Sequence, residues 1–169
     1  ATEMVSARAL LADKGKTLKL MDFGEEERPV SVQLFGGEPQ IVGEAAAFVV
    51  KNVRPDLLDL NFGCPVAKIL KSGSGSALLS DPRRAGDIVR CVVDAVAGKV
   101  PVTVKTRGGI ESFDGAALEI LKASEEAGAA AFALHARTRR QMYGGRADWD
   151  WIAQVKRVAR IPVIGNGDV

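Results

Sequence analysis

The stretch PVTVKTR, residues 101–107, places a run of valine and threonine directly behind a proline and includes two basic residues. Proline is tolerated at the first position of a strand, where its missing N–H breaks no ladder hydrogen bond. Valine and threonine are enriched in strands. The stretch therefore predicts a β-strand that carries Lys105 among small β-branched side chains.

Further runs resemble this stretch. Two of them also begin with Pro-Val and lead into VSVQLF (30–35) and VIGN (163–166), and two others read DLLDLNF (56–62) and AAFALHA (130–136). EMVS (3–6) is counted as the first of six strands. The runs are almost uniformly apolar, which is typical of parallel strands that are covered on both faces.

Helical patterns separate these strands. They cover residues 39–53, the segment from Asp81-Pro82 through Val96, residues 114–127, and residues 148–159 with Asp148 as the cap. Strand and helix alternate with a repeat of about 30 residues, the length of a βαβ unit, apart from a longer interval at 61–80. This alternation predicts an α/β fold with parallel strands and no internal domain boundary.

Polar side chains follow the predicted strands at the point where each strand ends: Gln33, Asn61 with Cys64, Lys105, His135, and Asn166 with Asp168. In a parallel barrel these ends converge on one mouth, where barrel enzymes keep their active sites. The open doubly wound sheet is disfavoured because no GxGxxG follows a strand, and SGSGS (72–76) is a weak motif far from any predicted strand end. We therefore expect a barrel.

Composition excludes several classes of protein. The chain is 47% hydrophobic and 26% charged, as soluble globular proteins are, which excludes a disordered chain. No apolar run reaches the roughly 18 residues of a membrane-spanning helix. Cys64 and Cys91 are too few for a disulfide scaffold and suit a reducing cytoplasm. One histidine and two distant cysteines predict no metal site.

The charge is unevenly distributed. Residues 61–80, 105–110 and 135–147 contain basic residues and no acidic one, although the chain as a whole holds 23 basic and 21 acidic residues. The basic residues are Lys68, Lys71, Lys105, Arg107, Arg137, Arg139, Arg140 and Arg146. If the fold joins the three segments, they predict a polyanion-binding face. The alternative is chance clustering of solvated loop charges.

Two single residues stand out by their chemistry. Cys64 lies between Gly63 and Pro65 just past a strand, so we expect a fixed turn that exposes its thiol, rather than the buried cysteine that is the common case. Cys91, in the middle of a helix, is expected only to pack. His135 is the only histidine and ends an apolar strand, a position that favours a functional role.

Other candidates suit binding. Lys105 within a strand must point into the barrel mouth or be buried at high cost, so it suggests a cation beside an anionic or electron-rich cofactor. The amide of Gln33 can donate and accept, which suits the edge of a heteroaromatic ring. Glycines on both sides of Asn166 allow a ligand to approach the backbone. YGGRADWDW (143–151) predicts either a loop that packs its tryptophans or a surface that stacks on RNA.

Five of these stretches together resemble the tRNA-dihydrouridine synthases, in order and in spacing: VQLFGG (32–37), DLNFGCPVAKILKSGSGSALL (59–79), PVTVKTR (101–107), HARTRRQMYGGRADW (135–149) and IPVIGNGD (161–168). The resemblance extends over essentially the whole chain. Its specific part is NFGCP followed by KSGSGSALL, whereas GNGD alone would be weak. It points to the bacterial branch of that family.

The resemblance implies a flavin enzyme on a TIM barrel. Such enzymes take a hydride from NADPH onto FMN and pass it to carbon 6 of a uracil in tRNA, while a cysteine acid protonates carbon 5. Cys64 matches that acid, and Asn61 matches the residue that holds the target base. The positions that match FMN contacts are Gln33, Lys105, His135, Asn166, Gly167 and Asp168. The basic residues named above are then expected to form a positive rim for the tRNA backbone.

The same resemblance predicts what the chain comprises. Residues 1–169 are expected to be an incomplete FMN-binding catalytic barrel with about six of the eight strands. The first and last barrel strands and a following helical domain are expected to lie outside it, since the sequence has no initiator Met and stops within a motif. The complete enzyme is expected to be cytoplasmic, monomeric and free of membrane segments.

Two alternatives remain open. One is another FMN-dependent barrel oxidoreductase that acts on a small molecule, of the dihydroorotate or old-yellow type. The basic and acid-free mouth argues against it, because a small substrate needs no such rim. The other is a non-catalytic RNA-binding barrel fragment that has lost its flavin.

Overall fold

Six parallel strands form one sheet in the computed structural model, which describes residues 1–168. They are β1 (Met4–Ser6), β2 (Ser31–Phe35), β3 (Leu57–Phe62), β4 (Val102–Gly109), β5 (Ala131–Thr138) and β6 (Val163–Asn166). Strands that are consecutive in the chain are also neighbours in the sheet. A doubly wound sheet reverses this order part-way, whereas a (β/α)8 barrel continues in one direction. The predicted fold, six strands of a parallel barrel, is confirmed.

Helices connect the strands and cover the outer face of the sheet. They are α1 (Ala7–Ala12), α2 (Lys14–Leu18), α3 (Pro39–Asn52), α4 (Ala67–Lys71), α5 (Pro82–Val96), α6 (Ala116–Glu126) and α7 (Trp149–Val158). The predicted caps are present: the Asp81 carboxylate accepts from the Arg84 amide at 3.0 Å, and Asp148 accepts from the Asp150 amide at 3.0 Å. These bonds satisfy amides that the first helical turn leaves unpaired.

The core lies between the helices and one face of the strands. In β2, Val32 and Leu34 are completely buried, while Ser31, Gln33 and Phe35 alternate with them on the other face. In β3, β4 and β5 the inner face carries polar side chains toward the carboxyl end, among them Asn61, Lys105 and His135, and small or apolar ones such as Leu57 and Ala131 near the start of β3 and β5. The expectation of almost uniformly apolar strands therefore holds mainly for the outer face, because the carboxyl half of the inner face forms a polar site.

Helices α3 and α5 approach each other closely. A Cβ atom added at Gly43 would lie 3.0 Å from the carbonyl oxygen of Cys91. The glycine thus lets the two backbones meet where Cys91 lies in α5. The expected packing position of Cys91 agrees with this arrangement.

The interval at 61–80 holds two short helices that the sequence did not predict. They are α4 and a 3-10 helix over Gly75–Ser80. Strands β4 and β5 also run two or three residues further than predicted, because the pairing continues beyond a register shift between Arg107 and Gly109. Among residues 1–168, no helix is long and apolar enough to cross a membrane.

Candidate functional site

The carboxyl ends of the strands surround a cavity of about 490 Å³. Most of the residues predicted for the site line it together: Asn61, Cys64, Lys105, Arg107, His135, Arg137, Asn166 and Gly167. Glu3, Met4 and Tyr143 also line it, and the sequence had not singled out Glu3 or Met4. The ends of β3, β4, β5 and β6 and the start of β1 thus converge on one space, as the barrel predicted. Gln33 of β2 and Asp168, which were also predicted for the site, do not line this cavity.

Cys64 is held by a network around its own backbone. The Asn61 side-chain oxygen accepts from the amides of Gly63 at 3.1 Å and Cys64 at 2.9 Å, an arrangement in which an Asn side chain closes a turn. The Cys64 carbonyl accepts from both the amide and the hydroxyl of Ser76, each at 3.0 Å. The thiol is half-buried and free. The turn that the sequence predicted is therefore fixed from two sides.

The glycine-serine segment around residue 75 packs directly on that turn. Gly75 has φ +60°, and a Cβ there would lie 2.7 Å from the Cys64 carbonyl oxygen. Any side chain would push Cys64 out of place. SGSGS is weak as a nucleotide-binding motif, and in this structure the segment packs behind Cys64 instead.

Lys105 is half-buried in the cavity and makes no hydrogen bond or salt bridge with any residue that the structure describes. Burial lowers its pKa, an effect that the charge of Asp59 opposes and that of Arg107 reinforces. Its ammonium also interacts electrostatically with Cys64. A cation without an internal partner is available to an anionic or electron-rich ligand.

His135 is buried, with 7% of its surface exposed. Burial, followed by the charges of Arg107, Lys105 and Arg137, lowers its pKa to about 4. The imidazole is therefore neutral at pH 7. Arg137 approaches its Nε2 atom at 3.3 Å, and because an arginine can only donate, the proton of the ring lies on Nδ1.

Arg107 and Arg137 are buried, unlike most of the predicted rim. Arg107 is 3% exposed and donates to the carbonyls of Gly63 at 2.9 Å, Thr138 at 3.1 Å and Met142 at 2.7 Å. Its guanidinium lies 5.6 Å from the centre of the Tyr143 ring. Such contacts join the cysteine turn to the loop after β5 and place Arg107 in the wall of the cavity.

The end of β6 closes the cavity. Gly167 has φ +115°, and a Cβ there would lie 2.7 Å from the Cβ of Ala147 and 3.2 Å from the His135 ring. Asp168 accepts from Arg137 at 2.6 Å and from the Ala147 amide at 2.6 Å. The hydrogen bond from the Ala147 amide and the guanidinium of Arg137 both lower the pKa of Asp168. Its carboxylate is thus bound by two groups of this chain, although 41% of the side chain is exposed.

Other basic residues of the predicted rim lie outside the cavity. Lys68, Lys71 and Arg146 are exposed, and Arg139 is half-buried. Arg140 pairs with Glu111 at 2.6 Å. The three basic segments contain no acid of their own, yet the fold brings Glu111 and Asp168 to them. Within residues 1–168, no cluster of metal-ligating side chains occurs.

Comparison with known proteins identifies the family of this chain. A family model described as dihydrouridine synthase (Dus) matches residues 1–169. The chain belongs to the dihydrouridine synthase family. The family suggested by the motif order is thereby confirmed.

Individual relatives have similar sequences. The chain is 41% identical over 175 residues to a probable tRNA-dihydrouridine synthase of Treponema pallidum (strain Nichols), covering 99% of this chain and 52% of that protein. It is 43% identical over 168 residues to tRNA-dihydrouridine synthase B of Vibrio cholerae serotype O1, covering 99% and 51%. The chain thus spans about half the length of the curated relatives it matches.

A solved structure shares the fold at low sequence identity. It is the crystal structure of an isomerase from Streptomyces coelicolor A3(2), with a TM-score of 0.53, 17% identity, and coverage of 98% of this chain and 32% of that chain. This likeness supports the architecture alone.

Besides Glu3 and Met4, two residues that support the site from outside the cavity were missed from the sequence. Asp59 lies two residues before Asn61 in β3, so the two side chains share one face of the strand. That spacing could have indicated Asp59, but the predicted strand had been interpreted as apolar on both faces. Ser76 lies 12 residues after Cys64, and no local pattern indicates that its loop returns to the cysteine.

Proposed function

We propose that this chain is part of an FMN-dependent enzyme that reduces uridine in tRNA to 5,6-dihydrouridine with NADPH, and that Cys64 is its general acid. The observation that carries the proposal is the shared cavity. It holds a thiol on a fixed turn, an unpaired lysine and a neutral histidine, in a chain of the dihydrouridine synthase family. Membership of the family supports the substrate class.

Three features of the cavity support FMN as the cofactor. Lys105 offers a cation without a hydrogen-bond partner in the described part of the chain. The ring of His135 is neutral, so it adds no second positive charge beside Lys105. Gly167 brings backbone close to His135 where a side chain would intrude. Lys105, His135 and the turn at 166–168 would hold the cofactor, with Gln33 beneath them. When bound, FMN accepts hydride from NADPH and supplies hydride to the uracil ring.

Cys64 would deliver the proton. Reduction of the C5–C6 double bond of uracil requires a hydride at carbon 6 and a proton at carbon 5, and a thiol beside the base can give that proton. The group left behind is a thiolate. Lys105 and Arg107 interact electrostatically with Cys64, and their positive charges stabilise the thiolate until it is protonated again.

Asn61 would bind the target base, and the exposed lysines would bind the RNA backbone. Asn61 lines the cavity beside Cys64, and a base that enters there must leave its stack in the tRNA. Lys68 and Lys71 both lie in α4, which follows the cysteine turn directly. Phosphates of the flanking backbone are then within the field of these charges.

The test uses the full-length protein from which this chain comes. We expect it to purify with flavin absorbance, to bleach with NADPH, and to form dihydrouridine in tRNA that lacks the modification. Flavin that is bleached by NADPH but not reoxidised by tRNA would indicate a small-molecule reductase. Tight tRNA binding without any flavin, before and after incubation with FMN, would indicate an RNA-binding module. Either result contradicts the proposal.

A further inference from the structure

Asp59 is a buried carboxylate that lies beneath the cavity without lining it. Its residue is 8% exposed, and it pairs in register with Gln33 of β2 and Thr103 of β4. All three side chains point to the inner face of the sheet, as the bonds between them show. The proposed chemistry above does not use this residue.

A continuous set of hydrogen bonds runs from Asp59 to the cysteine. Gln33 Nε2 donates to Asp59 Oδ2 at 2.6 Å, and Asn61 Nδ2 donates to Gln33 Oε1 at 2.8 Å. Asn61 Oδ1 then accepts from the amides of Gly63 and Cys64. Two side-chain amides therefore connect a carboxylate at one end to a backbone turn at the other.

The chemistry of the two ends fixes the direction of every bond. Burial raises the pKa of Asp59, an effect that the bonds from Thr103 and Gln33 and the charge of Lys105 oppose. The ionised carboxylate can only accept, so Gln33 must turn its NH₂ group toward Asp59 and its oxygen toward Asn61. Asn61 must then turn its NH₂ group toward Gln33. Its oxygen is left facing the backbone amides, which can only donate. The side-chain amides of Gln33 and Asn61 therefore each have one consistent orientation. In an isolated amide the oxygen and the NH₂ group could exchange places with almost no change of shape.

We propose that Asp59 is a positioning residue: it sets the orientation of the Gln33 and Asn61 amides and, through them, holds the turn that presents Cys64. This inference rests on the proposed function, because the turn matters for catalysis only if Cys64 and Asn61 act on a base. Thr103 donates to the other carboxylate oxygen at 2.5 Å. It anchors Asp59 and takes no part in the path to Cys64.

Three variants of the full-length enzyme separate this role from packing. Asp59→Leu removes the acceptor and frees Gln33 to rotate. Asp59→Asn keeps the path, because its oxygen can accept from Gln33 while its NH₂ donates to the Thr103 oxygen. Thr103→Val is the matched control, since it removes a buried hydrogen bond to the same carboxylate without breaking the path.

The first readout is the split between the two half-reactions. We expect Asp59→Leu to slow flavin reoxidation by saturating tRNA about tenfold or more, the scale of losing a buried hydrogen-bond network. FMN content and flavin reduction by NADPH should fall much less than the tRNA rate, because Gln33, which the substitution also frees, is only one of the proposed FMN contacts. Asp59→Asn should restore most of the tRNA rate, and Thr103→Val should leave it nearly unchanged. In an Asn61→Ala background, Asp59→Leu should add less than about twofold.

The second readout needs neither tRNA nor turnover. Alkylation of Cys64 by iodoacetamide, in a Cys91→Ala background, reports the setting of the turn. We expect Asp59→Leu to change its rate several-fold, and Asp59→Asn and Thr103→Val to change it little. This pattern would support the positioning role even if the parental enzyme failed to reduce tRNA, which would overturn only the proposed function.

Three results would overturn the inference. One is an unchanged alkylation rate in Asp59→Leu. Another is equal loss in both half-reactions together with lost FMN, which would make Asp59 a folding residue only. The third is full additivity of Asp59→Leu and Asn61→Ala, because a residue that acts through Asn61 cannot add to its removal.

Discussion

Arg137 and Asp168 are joined across 2.6 Å, and the same carboxylate accepts the amide of Ala147 through its other oxygen. The arginine side chain is 8% exposed and also donates to the Gly145 carbonyl at 2.9 Å. The pair therefore connects β5, the loop before α7 and the turn after β6. Three segments that the sequence assigned to a rim and a ligand turn are held together by one ion pair.

Removing this pair should loosen the end of the cavity. We expect Arg137→Met to lower both the melting temperature and FMN retention of the full-length protein, because Asp168 and the loop carbonyls lose their donor. The hydrogen bond from the Ala147 amide and then the Arg137 guanidinium lower the pKa of Asp168. The stability that these contacts contribute is complete above the ordinary Asp value and is lost as the pH falls through the folded value, and Arg137→Met removes only the part that comes from the guanidinium. Thermal melts at a series of pH values measure the change in stability and its pH dependence. The flavin absorbance that remains after desalting measures FMN retention.

The control for that prediction is the exposed pair between Arg140 and Glu111. Their side chains are 78% and 59% exposed. Exposed ion pairs contribute little to stability, so Glu111→Gln should leave the melting temperature and FMN content nearly unchanged. Equal effects of Arg137→Met and Glu111→Gln would show that the Arg137–Asp168 pair does not hold the cavity.

The rim prediction concerns Lys68 and Lys71. If they lie against tRNA phosphates, replacing both by glutamine should weaken tRNA binding at low salt. The slope of log K against log salt concentration should also fall by about 0.7–0.9 for each lost phosphate contact. The matched control is Lys51→Gln with Lys99→Gln, two exposed lysines at the opposite end of the strands, one in the last turn of α3 and one after α5. An unchanged slope in the Lys68/Lys71 variant would remove these residues from the RNA surface.

Much of this architecture was predictable because it rests on local patterns. Pro-Val before β2, β4 and β6 indicated where strands begin, and Asp81 and Asp148 indicated where helices begin. The positions of Lys105 and His135 followed from the convergence of barrel strand ends. These features depend only on neighbours in the chain and on the fold class.

Contacts that depend on strand register, or on a loop that folds back onto an earlier segment, were not predictable. Arg107 and Arg137 lie in the basic segments that the sequence assigns to the exposed rim. In the structure they point inward and donate to backbone carbonyls. Ser76 reaches Cys64 only because the loop after α4 folds back. The pairing of Glu111 with Arg140 joins residues 29 positions apart. Each of these contacts requires the three-dimensional placement of two segments.

His135 should make stability depend on pH. Its folded pKa is about 4, below the ordinary value of 6.5, so the unfolded chain takes up the proton first as the pH falls. The stability gained by keeping the ring neutral is complete above pH 6.5 and is lost progressively toward pH 4. The free energy of unfolding should fall by up to about 1.4 kcal/mol per pH unit in that window.

Chemical denaturation of the full-length protein at a series of pH values measures this slope. His135→Gln cannot titrate, so its profile should be flatter than the parental one between the two values. Parallel profiles for the two proteins would mean that His135 is protonated as easily in the folded protein as in the unfolded chain.

Lys105 should affect the free and loaded forms of the protein in opposite directions. Burial lowers its pKa and it has no hydrogen-bond partner within the described residues. Lys105→Met keeps most of the length of the unbranched side chain and removes a cation that is costly to bury. We expect the FMN-free protein to be as stable as the parent or more so, while FMN is retained less well. Equal FMN affinity in both proteins would contradict a cofactor role for this lysine.

Cys64 gives the most discriminating test, because its proposed role belongs to one half-reaction. Cys64→Ala should leave flavin reduction by NADPH intact and slow flavin reoxidation by tRNA about 100- to 10,000-fold, the typical loss of a general acid. Cys91→Ala is the matched control, since Cys91 packs in α5 against α3 and lies outside the cavity. Rapid-mixing absorbance of the flavin follows both half-reactions in each variant.

The outcome also separates an acid from a nucleophile. The Asn61 and Ser76 bonds hold the backbone of Cys64, so replacing its side chain should leave the turn in place. Cys64→Ser keeps a hydroxyl at the same position, but a hydroxyl is a far weaker acid than a thiol. We therefore expect the serine variant to remain slow with tRNA and to accumulate no covalent adduct. Reduction of tRNA by Cys64→Ala at the parental rate would end the assignment, because the proton would then come from another group in the cavity.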